Sequence, residues 1–261
     1  MQKSIGIIGG MGPTATYDLF KKIIDMTDAK SDQEHIHICI DCNTNIPDRT
    51  KAILGGGENP IPEMVRSGIR LQSMGADVLV MPCNTAHYFY GEITPFFDIP
   101  LLNMLKETVL EIKKRKIRKI GLLATDGTIE SRVYHMALAD AGIDLVIPSP
   151  IKQMSVMDVI YNGIKASNRN INLNEFYATV DELFEEGAEK YYLAIREKIL
   201  SICLTTSGQD FCYYTRVKFA SCMKAITFSL SVCQRCNATE TYPTLDDCHV
   251  KYLIYKHLSV K

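Results

Sequence analysis

"KSIGIIGGMGPT", Lys3 to Thr14, and "RKIGLLATDGT", Arg118 to Thr128, decide how this chain folds. Each is a short apolar run that stops in a turn and leads into a helical pattern, so each predicts a strand, a tight turn and a helix. Ile5-Gly6-Ile7-Ile8 matches Ile120-Gly121-Leu122-Leu123, and Gly12 matches Gly127. Near the end of each half a helical stretch closes in Gly-Ala-acid: "SMGAD" at Ser73 to Asp77 and "EEGAE" at Glu185 to Glu189. Self-similarity at half the chain length predicts two like domains. Helical periods alternating with buried apolar runs predict an α/β class with mostly parallel sheets. The expected domains are residues 1–100 and 101–197, followed by an atypical segment, 198–261, expected to pack loosely or stay disordered. Two such domains facing each other leave a cleft between the carboxyl ends of their strands, where α/β sheets bind ligands.

Between these repeats, "HIHICID" alternates as a second strand does, and "EMVRSGIRLQSMGA" has a helical period leading into the buried run "DVLVMP". "IPDRTKAILGGGENPIP" holds three glycines and three prolines and is expected to be a mobile flap. "HYFYGEIT" is expected to be helical, and "LKETVLEIKKRK" to be an amphipathic helix with a charged outer face.

The chain has 261 residues, 29 basic and 30 acidic, for a net charge of −1. That balance gives no reason to expect nucleic acid or a membrane surface as partner. A hydrophobic content of 46% with 23% charged residues is that of a globular chain. No apolar run reaches the 18 residues a spanning helix needs. The N-terminus is expected to be a first strand rather than a signal peptide, and the location cytoplasmic, with reduced thiols.

One stretch carries the chemistry: "VLVMPCNTAH", Val78 to His87, in which a buried strand ends by presenting Cys83. Backbone N–H groups of a helix opening after it would favour an anion such as a thiolate. Asn84 and Thr85 would cap that helix or donate to a substrate oxygen. The plain alternative is an inert buried thiol. His87, one turn on, is either the base for that thiol or an ordinary helix histidine. "GGMGPTAT" offers backbone donors to a small anion, without the spacing of a dinucleotide fingerprint or a phosphate-loop lysine. Arg49, in "NTNIPDRT" beside Asp48, is a bidentate partner for a carboxylate or a solvated loop arginine. Lys165 is a second carboxylate partner or a surface lysine. No metal site is expected: His35, His37 and Cys39 make no complete ligand set, and Cys233, Cys236, Cys248 and His249 lack standard zinc spacing.

Taken together, "IGIIGGMGPTAT", "NTNIPDRT", "GADVLVMPCNTAH" and "KIGLLATDGT" closely resemble the aspartate/glutamate racemase superfamily, and within it the cofactor-independent aspartate racemase-like enzymes. The resemblance covers residues 1 to about 190. It implies two αβα domains related by pseudo-two-fold symmetry, an active site between them, and a homodimer. It implies a small amino-acid or dicarboxylate substrate and no pyridoxal phosphate, metal or other cofactor. Two thiols, one on each face of the substrate Cα, would move the α-proton, as inversion requires. Carried over, Cys83 is the first thiol. Met11, Asp48, Arg49, Asn84 and Thr85 would hold the substrate, with Arg49 and Lys165 taking carboxylates and Thr125 at the matching loop of the second half.

The sequence departs from that pattern at the second thiol. Cys83 lies eight residues after Gly75, and eight residues after Gly187 stands Ile195. Cys203 is the candidate substitute. Composition changes at about Lys190: six of the nine cysteines follow it, and of sixteen glycines only Gly208 does. An altered 3′ end of the gene and a divergent extension both account for the change. Three functions remain open: an amino-acid racemase impaired at its second face; a one-thiol decarboxylase or cis–trans isomerase of small dicarboxylic acids; and an inactive amino-acid-binding protein.

Overall fold

The computed structural model describes residues 3–166, 168 and 170–194. Two parallel three-stranded sheets carry the fold. The first comprises β1 (Ile5–Gly9), β2 (Ile38–Cys42) and β3 (Val78–Val80), in the order β2-β1-β3. The second comprises β4 (Lys119–Leu123), β5 (Asp144–Val146) and β6 (Lys190–Leu193), in the order β5-β4-β6. In both halves the first strand in sequence is central, so the repeat in sequence is a repeat in topology. The chain is α/β with two similar halves, as expected. The helices in chain order are α1 (Pro13–Met26), α2 (Arg49–Ile53), α3 (Ile61–Ser73), α4 (Tyr90–Ile93), α5 (Met104–Lys114), α6 (Asp126–Glu130), α7 (Val133–Ala139), α8 (Pro150–Asp158) and α9 (Asn174–Glu185). None of them is long and apolar enough to cross a membrane.

The alternation of a strand explains the layers. Ile5 and Ile7 point to one face of β1, and Ile120 and Leu122 to one face of β4; all four belong to a single buried cluster with Leu19, Ile23, Met104, Val109, Tyr134 and Tyr192. The opposite faces bury separate clusters. Ile8 meets Met64 and Leu71 of α3, and Leu123 lies with Val156 of α8 and Leu183 of α9. Each central strand is thus covered on both sides, which is why it reads as a continuous apolar run.

The Gly-Ala-acid repeat has a structural cause. Gly75 and Gly187 adopt φ of +89° and +87°, the left-handed conformation that ends a helix and that glycine takes without strain. The alanines that follow close the helix ends, Ala76 N–H donating to Leu71 O and Ala188 N–H to Leu183 O. The acids then clamp the start of the central strand. Asp77 Oδ2 accepts from Ser4 N–H at 2.6 Å, and Glu189 Oε1 accepts from Arg118 N–H at 3.0 Å.

Two expectations are refined. The stretch expected to be a mobile flap contains α2, which the Asp48 side chain caps by accepting from Lys51 N–H and whose Arg49 and Thr50 are buried; its longest exposed run is Leu54 to Asn59. "HYFYGEIT" is not one helix. A 3-10 helix, Thr85–Phe89, precedes the single turn of α4, and a second 3-10 turn, Thr94–Phe96, follows it. The expected segment 198–261 lies outside the described residues, as do Ile195 and Cys203.

Gly6 lies on the α3 face of β1, where a Cβ would stand 2.8 Å from Leu79 Cδ2, 2.9 Å from Ala76 Cβ and 3.0 Å from Leu71 Cβ. Overpacking of this kind costs about 1–3 kcal/mol. Gly6→Ala is therefore expected to lower the urea midpoint of unfolding, followed by far-UV circular dichroism, with little change in slope. An unchanged midpoint would show that α3 yields freely.

Candidate active site

The carboxyl ends of both sheets meet at one narrow cavity of about 60 Å³. Met11 and Gly12 reach it after β1, Asp48 to Thr50 after β2, and Pro82 to Thr85 after β3. From the second half come Thr125 after β4, Ala194 after β6, and Ile160, Ile164 and Lys165 from a π-helical segment, Val159–Lys165. Every residue expected at the site that lies among the described residues lines this cavity: Cys83, Met11, Asp48, Arg49, Asn84, Thr85, Thr125 and Lys165. They are spread from residue 11 to residue 165, and the fold brings them together.

Cys83 is a free thiol, 9% exposed, directly after β3 and Pro82. Its neighbours do not cap a helix as expected. Asn84 makes no side-chain cap bond; its Nδ2 donates across the cleft to Ala194 O at 3.0 Å. Thr85 Oγ1 lies 3.0 Å from Thr125 Oγ1 and 2.9 Å from Thr128 Oγ1, and those two are 3.0 Å apart. Three hydroxyls, each donor and acceptor, close a buried ring between the halves. His87 does not face the thiol as a base. Its Nδ1 lies 2.7 Å from the Cys83 carbonyl oxygen and its Nε2 accepts from Met104 N–H, so the proton sits on Nδ1 and the ring fixes the backbone of Cys83.

Arg49 is not a solvated loop residue. It is 8% exposed, and its Nη1 donates to Ile46 O at 3.0 Å and Pro47 O at 2.7 Å. Its Nε is buried with no hydrogen-bond partner. Lys165 Nζ lies 3.6 Å from Asp48 Oδ2 and 3.6 Å above the Tyr161 ring, whose hydroxyl is 3.5 Å from the same carboxylate oxygen. Burial alone would raise the pKa of Asp48; the Lys51 N–H and the charges of Lys165 and Arg49 outweigh it and hold its carboxyl below the ordinary value. Cys39 is buried and His37 lies against Ser4 Oγ; among the described residues no group of three or more His, Cys, Asp or Glu is placed to hold a metal ion.

Thr50, Thr128, Tyr134, Tyr161 and Tyr192 also build or border this region and were not among the expected residues. Thr128 had a signal, since it closes the repeated stretch quoted first. The tyrosines had none, because an aromatic on an amphipathic helix or in a buried strand is ordinary core.

The four matching motifs thus lie around one cleft. A family model described as Asp/Glu/hydantoin racemase matches residues 8–194. The chain belongs to that family. The family together with its racemase relatives supports an amino-acid racemase, an isomerase. The match ends at Ala194, close to where the composition changes. A broad specificity amino-acid racemase of Bacillus subtilis is 28% identical over 198 residues, which are 71% of this chain and 81% of that relative. The structure of an aspartate racemase from Picrophilus torridus is 32% identical, with a TM-score of 0.68 over 76% of this chain and 83% of that one. An aspartate racemase homologue from Pyrococcus horikoshii shares the fold at 22% identity and a TM-score of 0.61, over 78% of this chain and 89% of that one.

The Asp48–Lys165 pair joins the halves at half-exposed positions, where such pairs contribute about 0.2–1 kcal/mol. Because the folded-state pKa of Asp48 is depressed, its stabilisation is present above the unfolded value and is lost as pH falls through the folded one. Asp48→Asn, which keeps the cap, is expected to be less stable than the parent chain at pH 7 by that amount. The gap should close as the pH is taken below about 4. Urea midpoints of both proteins across this range test it, and a constant gap would assign the loss to something other than the charge.

Proposed function

We propose that this chain racemises an acidic amino acid of the aspartate or glutamate type, without a cofactor, and that Cys83 is its acid–base group on one face of the substrate Cα. The observation that carries this reading is the charge of the cavity around the thiol. Its described lining holds two cations, Arg49 and Lys165, against one carboxylate, Asp48. A net positive cavity beside a thiol suits an anion whose α-proton is to be moved, and Arg49, buried with an unpaired Nε, suits one of its carboxylates. A homodimer in the cytoplasm, where thiols stay reduced, belongs to the same reading.

In this scheme the thiolate of Cys83 takes the proton from Cα, and the electron pair of the broken C–H bond passes into the α-carboxylate. Negative charge then grows on the carboxylate oxygens. A donor beside the thiol, the remaining N–H of the Asn84 amide, would stabilise that state more than the ground state. Return of the proton from Cys83 restores the starting enantiomer; delivery to the opposite face inverts it. Isoleucine at 195, the position matching Cys83 by count, has no proton to give. Cys203 is the other thiol weighed for that face.

The test is NMR of the α-proton in D₂O alongside chiral chromatography, with each enantiomer of aspartate and glutamate offered separately. Deuterium is expected to enter one enantiomer faster than that enantiomer inverts. Cys83→Ala is expected to slow exchange by about 10²–10⁴-fold while the circular dichroism spectrum is kept. Exchange by Cys83→Ala at the parent rate would remove Cys83 from the chemistry. Fast and equal inversion from both enantiomers would mean that a second group, Cys203 foremost, serves the other face.

A further inference from the structure

Next to Cys83, Asn84 lines the cavity and is 5% exposed. Its Nδ2 donates to Ala194 O at 3.0 Å. Its Oδ1 accepts from the Tyr134 hydroxyl and lies 3.3 Å from the Tyr192 hydroxyl, and the two hydroxyl oxygens are 3.1 Å apart. Both tyrosines are buried, at 1% and 4% exposure, with ring centroids 5.3 Å apart. Asn84 belongs to the first half. Tyr134 on α7, Tyr192 in β6 and Ala194 at its end belong to the second.

This set decides which way round the amide sits. An amide oxygen accepts twice and an amide NH₂ donates twice. Two phenol hydroxyls converge on Oδ1 and one carbonyl oxygen on Nδ2. Turning the amide over would press Oδ1 against the Ala194 carbonyl, acceptor on acceptor in a buried place, which leaves both undischarged. In the observed orientation Oδ1 is filled and one Nδ2 hydrogen is committed. A single N–H remains, on a residue that lines the cavity.

We infer that Tyr134 and Tyr192 are positioning residues that lock the Asn84 amide so that it presents a hydrogen-bond donor, and no acceptor, to the ligand. The cavity then selects an oxygen acceptor at that point, a carboxylate rather than an ammonium group. The inference rests on the cavity being the substrate site. It adds that the second half sets the polarity of a first-half side chain beside the thiol.

The probe is succinate, a dicarboxylate without an amino group, which has no stereocentre to invert. It is titrated by calorimetry into the full-length chain and into Tyr134→Phe, Asn84→Ala and the double variant. Tyr134→Phe keeps the ring and removes only the hydroxyl; it is expected to weaken succinate binding by about 3- to 10-fold. In the Asn84→Ala background the same change is expected to have no further effect, because its partner is gone. An equal loss in both backgrounds would make Tyr134 a packing residue and overturn the inference. An independent measurement is ¹⁵N–¹H NMR of the Asn84 side-chain amide, identified by its loss in Asn84→Ala. Its hydrogen exchange is expected to be slow in the parent chain and at least about tenfold faster in the Tyr134→Phe, Tyr192→Phe double variant; unchanged exchange overturns the inference as well. If the parent chain fails to bind succinate while the amide responds to the tyrosines, the positioning stands and the carboxylate reading of the cavity falls.

Discussion

The apolar layer shared by the two sheets is the constraint on which the rest of the molecule depends. Ile5 and Ile7 of β1 and Ile120 and Leu122 of β4 are buried in one cluster, to which Leu19 and Ile23 of α1 and Met104 and Val109 of α5 also belong. Burying each such side chain is worth about 1.5–3 kcal/mol, so the halves are held by burial rather than by polar contacts. With that layer set, the carboxyl ends of both sheets open on the same space. Each strand end then adds only a short piece: Met11, Asp48 to Thr50, Cys83 to Thr85, Thr125 and Ala194.

Polar ties across the cavity are graded by burial. The ring of Thr85, Thr125 and Thr128 and the Asn84–Ala194 bond are buried, where a satisfied network is specific in geometry and an unsatisfied one is costly. They align the thiol end of the cavity. The Asp48–Lys165 pair is half-exposed and weak by comparison. Of the two cations at the charged end, Lys165 is thus held weakly, whereas Arg49 is buried and fixed by the Ile46 and Pro47 carbonyls.

The described lining of the cavity is asymmetric in a fold that repeats itself. Internal repetition places the ends of β3 and β6 at matching positions, with Pro82 and Cys83 after one and Ala194 after the other. Inversion at carbon asks for one proton-transfer group on each face. Among the described residues lining the cavity the one thiol is Cys83, and the family match runs only to Ala194.

Much of this was legible in the sequence because repetition and period are local properties. The apolar run with glycine inside it at Ile5–Ile8 and again at Ile120–Leu123, and the Gly-Ala-acid endings, are sufficient for two α/β halves; the acids were visible, although their bonds to Ser4 and Arg118 were not. Cys83, Arg49, Asp48, Asn84, Thr85, Thr125 and Lys165 could be named because they follow strand ends or lie in recognisable motifs. What tertiary structure alone decided was orientation and partnership. A glycine- and proline-rich stretch is helical from Arg49, where the Asp48 side chain caps α2 and Thr50 lies against Gly127 of the second half. His87 became a backbone clamp because Met104 N–H and the Cys83 carbonyl occupy its two nitrogens. Tyr134 and Tyr192, fifty-eight positions apart, met at one amide oxygen. A sequence specifies which donors and acceptors exist; only packing across more than a hundred residues determines which of them face each other, because a hydrogen bond depends on distances that no local pattern encodes.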